Sequence, residues 1–146
     1  LHPLSFLDGR GTPNAFSSRA ANASLCVADN SPDSFFDYNT RLFQSQPTEG
    51  APGPENSELI AFAQEVGVTN LDQVSSCINS KMFGSFIKDA TDRALSEPIP
   101  GTNLRVEGTP AIFVNGEQYG WSTMDELASP ARFAQFIQTI TAEATE

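Results

Sequence analysis

Two cysteines and one histidine are the chain's whole stock of thiol and imidazole groups. Cys26 and Cys77 stand far apart in sequence and His2 lies near the start, so metal-ligand spacing is absent and no metal or other cofactor is implied. Cys26 and Cys77 have two fates open to them, a disulfide or a pair of buried thiols. As a redox pair they are badly placed. Cys26 falls near the end of one expected helix, where the dipole disfavours a thiolate, and Cys77 sits inside another. A structural bridge between two helices is the better reading, and closing a loop of that size stabilises a fold by about 4 kcal/mol in the chain-entropy model. A second feature concerns backbone chemistry. Gly108-Thr109-Pro110 leads into the apolar run Ala111-Ile112-Phe113-Val114 and then Asn115-Gly116. A proline before a strand, if cis, leaves the preceding residue's N–H and C=O free to pair with an extended segment of another molecule.

The elements that must hold these residues are mostly helical. Thr12-Pro13 reads as an N-cap with proline in the first helical position, opening a helix over roughly Asn14 to Asp29 that carries Phe16, Ala20, Ala23 and Val27 on one face. Ser31-Pro32 repeats the start signal, and Phe35, Phe36, Leu42 and Phe43 give the next helix a broad apolar face. The phenylalanines as a group, being at helical spacing, are expected in the core. Residues 46–55 hold three prolines and two glycines and form a surface loop. Asn56 is expected to cap a third helix that stops at Gly67. Leu71–Ser80 and Met82–Ser96 follow as two more helices.

After Pro98 the pattern changes. Ala111–Val114 reads as a strand, Asn115-Gly116 as a two-residue hairpin turn and Glu117–Trp121 as the returning arm. Ser129-Pro130 opens a last helix with Phe133, Phe136, Ile137 and Ile140 inward. The opening Leu1-His2-Pro3-Leu4-Ser5-Phe6-Leu7-Asp8 reads as an internal strand over Leu4–Leu7, continuing from residues upstream in a longer precursor. Asn22-Ala23-Ser24 matches a glycosylation acceptor by chance, because it falls within a helix.

Composition sets outer limits. The chain has 146 residues, 39% of them hydrophobic, enough for a sizeable core. Eighteen acidic against eight basic residues give a formal net charge of -10, which argues against nucleic acid as a partner. No apolar run approaches the roughly 20 residues of a membrane span.

Taken together, Gly108 to Gly116 with Tyr119-Gly120-Trp121-Ser122 resembles the closing half of DsbA-like thiol–disulfide oxidoreductases. His2–Asp8 resembles the strand after their catalytic helix in the exported, Gram-positive (actinobacterial) branch. Ser18–Ala23 with Cys26-Val27-Ala28-Asp29 resembles the first inserted helix, and Ser76-Cys77-Ile78-Asn79-Ser80 the later helix with the partner cysteine. The resemblance implies an α/β, thioredoxin-like (DsbA-like) fold with a large all-helical insertion and with the N-terminal catalytic βα segment absent. The divisions expected are 1–13 (residual strand and loop), 14–97 (helical insertion) and 98–146 (the closing ββα half with the cis-proline corner).

For the site, the resemblance implies substrate binding by Gly108, Thr109 and Pro110 and a Cys26–Cys77 bridge. The family's Cys-x-x-Cys does not occur in these residues, so no catalytic residue is assigned. The implied activity is disulfide exchange with exported proteins, outside the cytoplasm, with this chain inactive alone. A membrane oxidase as partner, and a second chain or fragment supplying a missing strand, follow from the same resemblance. Two other readings stand beside it: a binding module that keeps the groove without the chemistry, and a helical secreted domain whose corner is accidental.

Overall fold

The computed structural model describes residues 1–11, 13–48 and 50–143. These form two compact units, residues 1–92 and 93–146. The first is built from helices α1 (Phe16–Asn30), α2 (Phe35–Gln44), α3 (Asn56–Glu65), α4 (Leu71–Ser80) and most of α5 (Gly84–Ser96). The second holds the strands β1 (Phe113–Val114) and β2 (Glu117–Gln118) and the helices α6 (Met124–Leu127) and α7 (Pro130–Glu143).

α1 is the axis of the first unit, packed by α4, α2 and α3. One apolar face was the expectation, yet burial runs almost round the helix: Ala21, Asn22, Ala23, Ser24, Cys26 and Val27 are all buried. Small side chains make this possible, since they let neighbouring backbones approach from several sides at little cost in lost polar contacts. The two that are polar find partners. Asn22 accepts from the Phe83 N–H (2.9 Å) and donates to the Ile78 carbonyl (3.4 Å), fastening the α4–α5 turn to α1. Ser24 donates to Asn39 Oδ1 (3.0 Å).

The start of α1 differs from the sequence expectation. Thr12, the expected cap, lies outside the described residues. Asn14 and Ala15 are left-handed, at φ 53° and 50°, so the helix begins at Phe16 rather than Asn14. Its free N–H groups are met from further back in the chain. Asp8 accepts from Ser17 N–H through Oδ1 and from Ser18 N–H through Oδ2, both at 2.9 Å. A carboxylate there also faces the positive end of the helix dipole.

Asp8 bears on the expected strand at Leu4–Leu7, which does not form. Residues 1–5 are irregular and Phe6–Arg10 is a 3-10 turn. A strand needs a ladder to pair with, and among the described residues none is offered to this segment. Its polar groups go elsewhere: Ser5 N–H donates to Thr91 Oγ1 (3.0 Å), and Ser17 Oγ donates to the Leu4 carbonyl (3.3 Å).

The loop before α3 is held against α1 by Arg19, itself 9% exposed. Its Nε donates to the Asn14 carbonyl (2.8 Å) and its Nη1 to the Pro54 carbonyl (2.7 Å). α3 is capped one residue earlier than expected, with Asn56 as the first helical residue. Glu55 is the cap, and its N–H donates back to Glu58 Oε2 (2.9 Å). Gly53 is where the loop comes closest. A Cβ built there would stand 2.1 Å from Cγ of the Phe16 ring. Gly53→Ala is therefore expected to lower stability by about 1–3 kcal/mol, read as a fall in the urea midpoint at unchanged m-value.

α2 buries a different face from the one expected. Tyr38 is its buried residue, donating its hydroxyl to the Leu59 carbonyl (3.0 Å), with Leu42 and Phe35 half-buried beside it. That phase turns Phe36 and Phe43 outward, and they are 71% and 75% exposed. Phe86 on α5 is likewise exposed. These phenylalanines are not core.

In the second unit the hairpin register is Phe113 opposite Gln118 and Val114 opposite Glu117. Asn115 and Gly116 both take positive φ (51° and 84°), as a two-residue turn matched to strand twist requires. Both strands are shorter than expected from Ala111–Val114 and Glu117–Trp121. With only each other as partners among the described residues, the arms keep regular pairing next to the turn, and one further bond, Tyr119 N–H to the Ile112 carbonyl (2.9 Å), continues it. Tyr119 is buried, with its ring 5.3 Å from those of both Phe133 and Phe136 on α7. Its hydroxyl donates to the Glu126 carbonyl (2.9 Å).

α6, not foreseen, is opened by Thr123, whose Oγ1 accepts from Glu126 N–H (3.3 Å). Glu126 in turn accepts from Ser122 N–H (2.7 Å) and pairs with Arg132. The Ser122 bond first, then Arg132, holds the Glu126 carboxyl below its ordinary titration range.

Candidate functional site at the cis-proline corner

Gly108, Thr109 and Pro110 lie in one exposed stretch just before β1. The peptide bond between Thr109 and Pro110 is cis. The corner is anchored on both flanks. Downstream, the Ile112–Tyr119 bond fixes the chain two residues past the proline. Upstream, Ile99 N–H donates to the Leu104 carbonyl (2.7 Å), closing a turn around Gly101, which has φ 79°. Thr102 Cγ2 is the nearest atom to the open side of Gly116, so that turn packs on the tip of the hairpin. Among the described residues none hydrogen-bonds to the backbone of Thr109. Its N–H and C=O are thus available to an extended segment, a strand-addition geometry.

A shallow hollow opens nearby. Ile112, two residues beyond Pro110, lines it with Leu127, Ala128, Ser129, Pro130 and Phe133. Ser129-Pro130 was legible only as a helix start; the signal for α6, whose last residue is Leu127, is the Thr123-x-x-Glu126 spacing of a capping box.

Cys26 and Cys77 are joined to each other, with their Cα atoms 5.7 Å apart. They link α1 to α4 in the first unit, whereas the cis-proline belongs to the second. Both are buried, at 0% and 1% exposure. Neither sits at a helix N-terminus, where free N–H groups would stabilise a thiolate. No free cysteine and no cluster of His, Cys, Asp or Glu suited to a metal occurs among the described residues. His2 is exposed near the chain start, and Asn22, buried within α1, is no glycan acceptor. Among the described residues no helix is long and apolar enough to cross a membrane.

The cis-proline stands ahead of a hairpin, with a helix following it. The thioredoxin family model matches residues 8–139; the chain belongs to that family and has a DsbA-like form of its fold. Among solved structures it is similar to the reduced form of a disulfide bond oxidoreductase (DsbG) from Mycobacterium tuberculosis. The identity is 35% and the TM-score 0.68, over 86% of this chain and 56% of that one. Among curated proteins it is similar to the serine/threonine-protein kinase PknE of Mycobacterium tuberculosis and of Mycobacterium bovis. Identity to both is 34% over 131 residues, which is 82% of this chain and 22% of theirs. The chain therefore spans about a fifth of the length of those curated relatives.

Proposed function

We propose that this chain carries the substrate-holding half of a thiol–disulfide exchange site that acts on exported proteins outside the cytoplasm. The observation that carries the reading is the exposed cis Thr109–Pro110 bond, with the Thr109 backbone unpaired among the described residues, in a chain of this family. Gly108, Thr109 and Pro110 hold an extended substrate segment through the Thr109 N–H and C=O. Exchange needs a thiolate that attacks a disulfide sulfur, forming a mixed disulfide as the old S–S bond breaks and the departing thiolate takes up a proton. No residue of this sequence supplies that thiolate, since the only two cysteines are bonded to each other. The chain by itself is inactive in this reading, with the exchanging pair provided from outside these residues and reoxidised by a membrane oxidase. Residues 14–97 form the helical insertion and 98–146 the closing half of the fold. The buried Cys26–Cys77 bridge fits an oxidising compartment.

A second reading, a redox-inactive binding module, is favoured by the occurrence of a similar stretch inside chains named as protein kinases. One experiment addresses both. Insulin reduction by dithiothreitol is expected to run no faster with this chain than with buffer. A cyclic disulfide peptide titrated against labelled chain is expected to shift the amides of Gly108, Thr109, Ala111 and Ile112, and Pro110→Ala is expected to weaken that binding about tenfold. Catalysis by the chain alone overturns the split-site reading; peptide shifts confined to other residues overturn the corner's role. Equal binding of the disulfide peptide and its dithioether analogue selects the binding module.

A further inference from the structure

The outward face of α2 carries an exposed aromatic stripe. Phe36, Thr40 and Phe43 fall at i, i+4 and i+7, on one stripe of the helix. The two rings are 71% and 75% exposed, leaving on the order of 300 Å² of aromatic surface in water, at the level where patches on soluble proteins are commonly functional. The helix's inward contacts are already made. Tyr38 is buried against α3, and Arg41 lies over the Phe62 ring (3.9 Å to its centroid) with Nε on Glu65 (2.7 Å). Phe36 meets the neighbouring Phe35 ring edge-to-face (5.4 Å between centroids), and even so most of its surface stays in water.

The charges beside the stripe select its occupant. Asp33 and Asp37 are exposed along one flank, and neither forms an ion pair among the described residues. The single cation of the helix, Arg41, is neutralised by Glu65. An uncompensated acidic edge beside an aromatic stripe complements a segment with apolar anchors flanked by lysine or arginine. A second copy of the chain fits poorly, because facing α2 helices would bring four carboxylates together on partners that each carry a net charge of -10. Anionic lipid is disfavoured on the same ground. We propose that the Phe36–Thr40–Phe43 face docks a basic amphipathic helix of a partner protein, laid along α2 with its apolar side on the two rings. This surface is separate from the cis-proline corner and does not depend on the exchange reading.

The test uses the whole chain and a labelled 18-residue amphipathic helical peptide of leucine and lysine, followed by fluorescence anisotropy. Saturable binding is expected, weakened several-fold at high salt. The double variant Phe36→Ser/Phe43→Ser should lose at least tenfold in affinity, and so should Asp33→Lys/Asp37→Lys, which leaves the rings in place. Phe86→Ser, on α5, should bind as the unaltered chain does. Phe36, Asp37 and Phe43 on α2 and Asp33 in the 3-10 turn before it are all exposed, and an unchanged thermal midpoint shows that the variants remain folded. Absence of saturable binding overturns the proposal. So does equal binding of a leucine–glutamate peptide, or loss of binding through Phe86 instead of Phe36 and Phe43. Dimerisation of the chain, or its capture by phosphatidylglycerol vesicles, that depends on the same two phenylalanines would assign the face to those occupants and overturn it too.

Discussion

Replacing Cys26 and Cys77 together by alanine is expected to lower the stability of the helical unit by about 4 kcal/mol. The bridge closes a loop of 51 residues that runs from α1 through α2 and α3 to α4. In the unfolded chain this cross-link removes the conformations in which the two ends are apart, worth about 4 kcal/mol for a loop of this length. Set against the roughly 5–15 kcal/mol by which whole domains are stable, that is a large share. The packing adds to it. Both sulfurs sit in the cluster formed with Val27, Tyr38, Leu59 and Ile78, so the variant also loses dispersion contacts at the α1–α4 crossing. Urea unfolding followed by far-UV circular dichroism reads mainly the helices of the first unit. Fluorescence reads Trp121, the only tryptophan, in the second. The dichroism midpoint should fall sharply; a midpoint unchanged in the double variant would show that the bridge contributes no net stability. Intact chain treated with an alkylating reagent without denaturant should take up no label at either cysteine.

What could be read from sequence follows the range of the physics involved. The α4 limits Leu71–Ser80, the stop at Gly67 and the Asn115-Gly116 turn are local decisions of capping residues and positive-φ positions, and the structure has them there. The phase of α2 was not local. Phe35, Phe36, Leu42 and Phe43 outnumber Tyr38 in apolar weight, yet the helix turned to bury Tyr38, whose hydroxyl could meet Leu59 across the unit. The start of α1 shows the same dependence: Asp8, unremarkable in sequence, reaches the helix N-terminus only because Phe6–Arg10 coils into a 3-10 turn instead of a strand. At the corner, Thr109-Pro110 was legible through the apolar strand and hairpin that follow it. The hollow beside it was not, because its wall is built from Leu127–Pro130, residues that meet Ile112 and Phe133 only after the chain has turned.

Tyr38 carries the second large effect, and two substitutions separate its parts. Tyr38→Ala is expected to cost about 3–5 kcal/mol, the range for emptying a fully buried aromatic site, here at the junction of α2 with α3. Tyr38→Phe keeps the ring and removes only the bond to the Leu59 carbonyl, at about 1 kcal/mol. The carbonyl it leaves belongs to the interior of α3 and retains a second lone pair for the helix's own N–H. The hydroxyl has a further consequence at alkaline pH. Burial pushes the Tyr38 phenol well above its ordinary value, because the phenolate would have to form out of contact with water. Its folded-state value lies above the unfolded one, so the associated stability is complete below the unfolded value of about 10 and is lost as pH rises from there towards the folded value. One such group contributes a slope of at most about 1.4 kcal/mol per pH unit. Stability measured by urea titration across that window should therefore decline more steeply in the unaltered chain than in Tyr38→Phe, which has no proton to lose. Parallel declines would mean that Tyr38 ionises in the folded protein and that its burial does not resist the charge.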